Sequence, residues 1–310
     1  MIGVSKQDNL GVAFKKSIPF YLLSLVGILF FLLFKYVPMF GIIIAFKDIT
    51  PFSSIQDIIR EPFVGFKWFI RFFNSYYFEQ ILWNTIWIRL LIIFWGFPLP
   101  IIFAISLNEV LGTVYKRSIQ SISYIPHFFS WVVVAGMAMS LLNVENGLIN
   151  TLLVKLGQEP ILFLGSPKHF RGILVVINVW KGTGWGSILY LAAISGIGSE
   201  MYESAIIDGA GRFQRIWFIT LPNISYIIVF LLIFQIGSLL DAGFELIFLL
   251  YSPIVYGVAD IIDTYVYRSG LENMEYSFAT AVGLFKSIAA LILLLTSDFI
   301  ARKLGHKGIF

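Results

Sequence analysis

Long apolar runs constrain this chain more than any other feature. Six of them occur, at about 18–46, 79–107, 119–142, 172–194, 224–250 and 276–301. Each reaches the ~20 residues a helix needs to cross the hydrocarbon core of a bilayer, where every backbone polar group must be satisfied within the segment. The chain is 58% hydrophobic and only 13% charged, about half the charged share of an ordinary soluble domain. The runs are far longer than the ~10-residue alternating segments of a transmembrane barrel. The expected fold is therefore an all-α polytopic membrane protein with six transmembrane helices.

The formal charge of +4 matters through its distribution. Lys15 and Lys16 precede the first run, Lys116 and Arg117 fill the second connection, Arg212 and Arg215 lie in the fourth, and Arg302, Lys303 and Lys307 follow the last. The other connections mix signs, as in Asp57, Arg60 and Glu61, or Asp260, Asp263 and Arg268. Basic residues concentrate on the cytoplasmic side of membrane proteins, so both termini are expected there. The first run continues into "FKYVPMF" without a small-residue cleavage site, which reads as an uncleaved span. There is no cysteine, and hence no disulfide, thiol chemistry or sulfur-ligated metal. No linker or internal repeat divides the chain, so residues 1–310 are read as one transmembrane domain.

Two outer connections carry their own patterns. "FVGFKWFIRFFNSYYF" sets Trp68, Phe69, Phe72 and Phe73 beside Lys67 and Arg71, the composition of a helix lying at the headgroup level. "ENGLINTLLVKLGQEP" repeats Leu148, Leu152 and Leu156 at helical spacing before Gly157, and predicts a short amphipathic helix that covers a pathway, receives a soluble partner or rests on the membrane.

The stretch 199–222 interrupts the hydrophobic pattern on the cytoplasmic side. Ser199 is placed to cap a helix carrying Glu200 and Glu203 at its positive end, Asp208 to Gly211 break it, and Asp208 is placed to cap a second helix over 212–218. Phe213 and Trp217 would share one side of that helix, with Arg212 and Arg215 as neighbours. An angled pair with an apolar ridge marks a contact surface. The plain alternative is a segment flat on the lipid, Trp217 anchored and the arginines on phosphates.

Glu203, Ser204 and Ala205, then Gly209, then Ile219, Leu221 and Pro222 resemble the cytoplasmic loop motif of binding-protein-dependent ABC importer permeases, with Ser204 in place of the first alanine. "SYIPHFFSWVVVAG", "GWGSILYLAAISGI", "FELIFLLYSP", "VADIIDTYVYRSGL" and "YSFATAVGLFKS" extend the likeness to the carbohydrate-uptake group, the LplB-type oligosaccharide and polysaccharide permeases. The resemblance implies a permease in the bacterial plasma membrane that moves an oligosaccharide delivered by an extracytoplasmic sugar-binding protein. It further implies a second permease as heterodimer partner and two ATPase subunits, which hold the ATP and Mg. Docking on them falls to Glu203, Ser204, Ala205, Asp208, Gly209, Arg212 and Pro222. The sequence itself has no G-x-x-x-x-G-K-[ST] loop, so no bound cofactor and no enzymatic activity are expected of this chain. Lipid is an expected partner and nucleic acid is not.

Ionisable residues inside spans are costly and usually face a cavity or a partner. Arg89, Lys181, Asp241 and Lys286 fall roughly 13–16 Å below the outer edge at 1.5 Å per residue. Ser238, Asp241 and Glu245 are spaced to form one helical stripe, and Asn178, Lys181 and Trp185 another. With Trp180, these make a candidate sugar pathway of apolar walls and few polar groups. A slight basic excess would suit uronate groups. Two alternatives stand beside this reading: internal pairing of Lys181 or Arg89 with Asp241, and an ion-coupled secondary transporter that titrates Asp241 and Glu245. A membrane enzyme would need a H-E-x-x-H pair or nucleophile elbow, and neither is present.

Overall fold

The computed structural model describes residues 10–305 and 308. Lys307 and His306 lie outside the described residues, as do the side chains of Lys15 and Lys16. Among the described residues there is no β-strand. One isolated antiparallel bridge pairs Lys47 with Phe63. The rest of the described residues are mostly helix, joined by turns and short irregular stretches, as an apolar chain requires when its backbone must bond internally.

Helix α1 (Leu10–Phe31) runs on through irregular helical turns to Phe46. It is followed by α2 (Lys67–Phe73), α3 (Phe78–Gly96), α4 (Pro98–Glu109), α5 (Thr113–Phe128), α6 (Trp131–Leu141) and α7 (Leu148–Lys155). The second half comprises α8 (Pro167–Ser195), α9 (Ser199–Ile207), α10 (Arg212–Arg215), α11 (Leu221–Gly237), α12 (Phe244–Leu250), α13 (Ile262–Tyr267) and α14 (Tyr276–Lys303). Among the described residues, four stretches are long and apolar enough to cross a membrane: Ser17–Phe46, Phe78–Glu109, Arg212–Gly237 and Tyr276–Lys303. The pair α5 and α6 makes a fifth if it counts as one broken span. Helix α8, 29 residues long, has the length to span, but Lys168, Arg171 and Lys181 dilute its apolar character.

Two of the six expected runs are not continuous helices. The run 119–142 bends by 97° between α5 and α6, because Ser130 adopts an extended conformation and its hydroxyl accepts from the Val133 N–H to start a new helix. The run 224–250 stops at Gly237. There Asp241 accepts from the Gly243 N–H at 3.3 Å, and Gly243 takes a positive φ of 88° before α12 begins.

Helix α8 is the central strut. Its first half packs Phe170, Leu174 and Val175 with Ile88 and Ile92 of α3, Ala135 and Ala138 of α6, and Leu246 and Ile247 of α12. Its second half packs Tyr190, Leu191 and Ile194 with Ala104 and Leu107 of α4 and Ile224 of α11. A third cluster joins α2 to α14. There one face of the expected headgroup helix packs on protein, with Trp68 and Phe72 buried and both beside Phe278, while Phe66, Ile70 and Phe73 stay exposed. Arg71 reaches Glu275, at the start of α14, at 2.8 Å, and Lys67 reaches Asp48, just past the first long helical stretch, at 2.6 Å. The amphipathic α7 forms as expected. Buried Asn150 pins it, donating to the carbonyls of Asn143 and Ile161 at 3.0 Å each and accepting from the Ile161 N–H.

A candidate coupling elbow and its membrane-embedded ends

The break over 208–211 has a defined geometry. The Gly209 N–H donates to the Ile206 carbonyl at 3.0 Å and the Ala210 N–H to the Ala205 carbonyl at 2.8 Å. This is the Schellman closure of a helix C-terminus, which needs a left-handed residue one place past the cap. Gly209 supplies it with φ of 80°. The spacing from Glu203-Ser204-Ala205 to Gly209 is thus the distance from the middle of α9 to the residue that can end it.

Two capping expectations are corrected. Ser199 is already helical and Gly198 precedes α9 without a side-chain cap. Asp208 is the C-terminal cap of α9 and does not cap α10. That role falls to the turn at Gly211, whose N–H donates to Gln214 Oε1 at 2.7 Å. A Gln three residues past a turn is a sequence signal for this arrangement.

The second limb does not end before span five. Helix α10 passes through one π turn, Ile216–Thr220, directly into α11. The Leu221 N–H bonds to the Ile216 carbonyl, and the widened turn sits just ahead of Pro222, which has no N–H to give. Pro222 therefore lies inside a continuous 26-residue helix, Arg212–Gly237, about 39 Å long at 1.5 Å per residue. The Tyr202 hydroxyl, 3.0 Å from Thr220 Oγ1, ties the limbs together. Phe213, Trp217 and Phe218 stand exposed on the second limb and Ile206 and Ile207 on the first. Glu203, Ser204 and Arg212 are exposed too.

In the membrane interior the expected residues separate into three places. Lys181 is buried and donates to the backbone carbonyls of His127 at 2.7 Å, Phe129 at 2.8 Å and Pro126 at 3.4 Å. Its neighbour Trp185 stacks on the His127 ring at 4.3 Å. Arg89 donates to Gln235 Oε1 at 2.7 Å and Ser238 Oγ at 2.6 Å, at the inner end of α11. Lys286 donates to both carboxylate oxygens of Asp263 at 2.6 and 2.7 Å. Asp241 is therefore not the hydrogen-bonded partner of either cation that the sequence offered it.

Asp241, Asp263 and Lys286 line one cleft of about 540 Å³ with Phe244, Tyr267 and Tyr276. Its charged lining is two carboxylates and one ammonium. The single helical stripe of Ser238, Asp241 and Glu245 is corrected, since Ser238 follows α11, Asp241 lies in a turn and Glu245 opens α12. Asn178 bonds to the Leu174 carbonyl at 2.8 Å, and Trp180 is exposed; neither lines this cleft. Asp263 was missed because it lies 23 residues from Lys286 in a different helix, and no local pattern announces the pair. Nearby, Arg268 clasps buried Asp260. Burial works against its charge, yet the hydrogen bonds and charge of Asp260 outweigh that and hold it above the ordinary arginine range.

A family model described as "Binding-protein-dependent transport system inner membrane component" matches residues 96–307. Protein LplB of Bacillus subtilis (strain 168) is 45% identical over 96% of this chain and 93% of its own length. The polygalacturonan/rhamnogalacturonan transport system permease protein YteP of the same organism is 45% identical over 94% of this chain and 89% of its own. Among solved structures, a chain of a bacterial alginate ABC transporter in complex with an alginate pentasaccharide-bound periplasmic protein superposes with a TM-score of 0.87. It is 39% identical, with 97% of this chain and 100% of that one covered.

Proposed function

Because the chain belongs to the family of binding-protein-dependent transport system inner membrane components, we propose that its 199–222 elbow takes force from separate ATPase subunits to import an acidic oligosaccharide. The chain is a multi-pass membrane permease subunit of a binding-protein-dependent sugar ABC importer. The proposal concerns how it couples, what it carries and how it sits in the membrane.

One observation carries the coupling reading: a continuous helix joins exposed Phe213 and Trp217 to Gln235, at the polar interior where Arg89 is held. A push on the elbow cannot be absorbed between these points except at the single π turn. Rigid-body rocking of packed helices is the usual form of such a transition. Glu203, Ser204, Ala205, Asp208 and Gly209 form the first limb and its closure, and Arg212 and Pro222 belong to the second.

Six spans are proposed, counting α8 and the broken pair α5–α6, with both termini cytoplasmic. The first of them, Ser17–Phe46, has none of its apolar window buried in this chain, which supports a second permease subunit packed against it. Two ATPase subunits and a sugar-binding protein complete the assembly, with ATP and Mg held by the ATPases.

Uronate chemistry is supported by the polygalacturonan/rhamnogalacturonan permease and the alginate transporter among the relatives. Within this chain the cation suited to a carboxylate is Arg89. Its hydrogen bonds to Gln235 and Ser238 go to neutral acceptors, and its Nε is buried without a hydrogen-bond partner. The test is uptake by the reconstituted transporter of oligogalacturonate, oligoalginate and neutral malto-oligosaccharides. Saturable uptake of a uronate oligomer, reduced about tenfold by Arg89→Gln as expected for a lost charge-assisted contact, supports the reading. Uptake confined to neutral oligomers refutes the substrate class.

A further inference from the structure

No carboxylate lies within ion-pair distance of Lys181 among the described residues, and the charge of Glu245 reaches it only from farther off, although a buried ammonium ordinarily takes a direct partner. Its three donors instead point at the carbonyls of Pro126, His127 and Phe129. Pro126 and His127 are in the last turn of α5 and Phe129 is its C-cap, where the 97° bend ends the regular helical bonding; the Pro126 carbonyl also accepts from the Phe129 N–H at 3.3 Å. A cation there also answers the negative end of the helix dipole. The same ammonium lies 5.0 Å from the Trp131 ring, at the first residue of α6, so it touches both sides of the break.

Two further contacts sit on the same face of α8. A Cβ added at Gly184 would come 2.0 Å from the Ser123 carbonyl oxygen, so only glycine lets α5 approach this closely. Trp185 stacks flat on His127. Positions 181, 184 and 185 share one helical face, and together they grip the last turns of α5. Helix α5 packs chiefly on α8 beside Lys181 and Gly184, whereas α6 beyond the bend packs into the cluster that joins the first half of α8 to α3 and α12. The grip therefore fixes the end of α5 to α8 at the break.

Helix α8 also leads to the elbow. Ser195 is separated from α9 by the residues 196–198, and Lys181 lies about 21 Å up the helix at 1.5 Å per residue. We propose that Lys181 is a positioning residue for transport: with Gly184 and Trp185 it clamps the broken end of α5 to α8, so that movement at the elbow is delivered to the break in the third span. This rests on the coupling reading above. It gives the residue a role distinct from sugar contact.

The test uses the complete reconstituted transporter. The chain has no native cysteine, so spin labels at Ile125→Cys on α5 and Leu189→Cys on α8, both exposed, report the grip directly. In the wild-type grip the label distance stays constant between nucleotide-free and ATP-trapped states; a change beyond about 5 Å, the scale of a one-turn shift, overturns the proposal. Lys181→Met is expected to keep co-purification of the ATPase subunits, broaden the label distance and lower uptake per ATP hydrolysed about tenfold. Lys181→Arg, which keeps the charge and donors, is expected to restore uptake to within about threefold. Gly184→Ala keeps the ammonium but forces α5 away, and is expected to uncouple in the same direction. Normal uptake per ATP in Lys181→Met or Gly184→Ala overturns the clamp. Failure of the elbow reading itself would look different, as ATPase subunits that co-purify whatever is done at Gly209.

Discussion

At the 199–222 elbow, neighbours in sequence hold one another: Gly209 bonds to Ile206, Ala210 to Ala205, and Gly211 to Gln214. In the membrane interior the ties run between distant residues, as Arg89 to Ser238 across 149 positions, Asn84 to the Asp260 carbonyl across 176, and Lys181 to Phe129 across 52. The elbow leaves its apolar side chains exposed, whereas the interior uses its polar ones to satisfy cations and carbonyls. A surface built from local bonds keeps its shape whatever the rest of the bundle does. That property suits a docking part that must present the same face in every state, while the interior, held by contacts between helices, can change its arrangement.

Perturbations of the elbow should therefore act on partner binding and those of the interior on stability or coupling. The largest effect is expected for Gly209→Trp. The left-handed backbone strains any side chain by about 1–2 kcal/mol, and the indole projects into the docking face. Co-purification of the ATPase subunits should be lost and uptake should fall at least about tenfold. An intermediate effect is expected for Asn84→Ala, which leaves Arg171 and the carbonyls of Gly257 and Asp260 without their partner. Thermal unfolding in detergent should show about 3 kcal/mol of lost stability, with ATPase binding intact in the protein that remains folded. A smaller loss, about 1 kcal/mol, is expected for Tyr202→Phe, which removes the hydrogen bond to Thr220 between the limbs. Uptake should stay within about threefold of wild type, because backbone bonds hold the elbow. The smallest effect is Lys67→Ala at an exposed ion pair with Asp48, below about 1 kcal/mol and weaker still in high salt. A Tyr202→Phe effect larger than that of Asn84→Ala would reverse the comparison.

The same division explains what could be read before any coordinates. Gly209 and the break at 208–211 were legible because a Schellman turn is written in adjacent residues, and α7 because its leucines recur at one spacing. The caps were misassigned since Ser199 and Asp208 are good capping residues close to glycines that take the cap positions instead, Gly198 one residue before Ser199 and Gly211 three residues after Asp208. Pro222 read as a helix boundary, and a π turn made room for it instead. The bend at Ser130 sat within an apolar run, where composition carries no directional signal. Lys181 read as a pathway or ion-pair residue because backbone carbonyls have no letter in the sequence, and Lys286 lacked Asp263 because that partner sits in another element.

The account turns on whether the exposed ridge of the elbow meets protein or lipid. A photo-crosslinking residue at Phe213, which is 87% exposed, placed in the assembled transporter and irradiated with and without ATP, reads this directly. The account expects an adduct with an ATPase subunit in both conditions, lost in the Gly209→Trp background. Adducts with lipid alone, in an assembly that still contains the ATPase subunits, would contradict it.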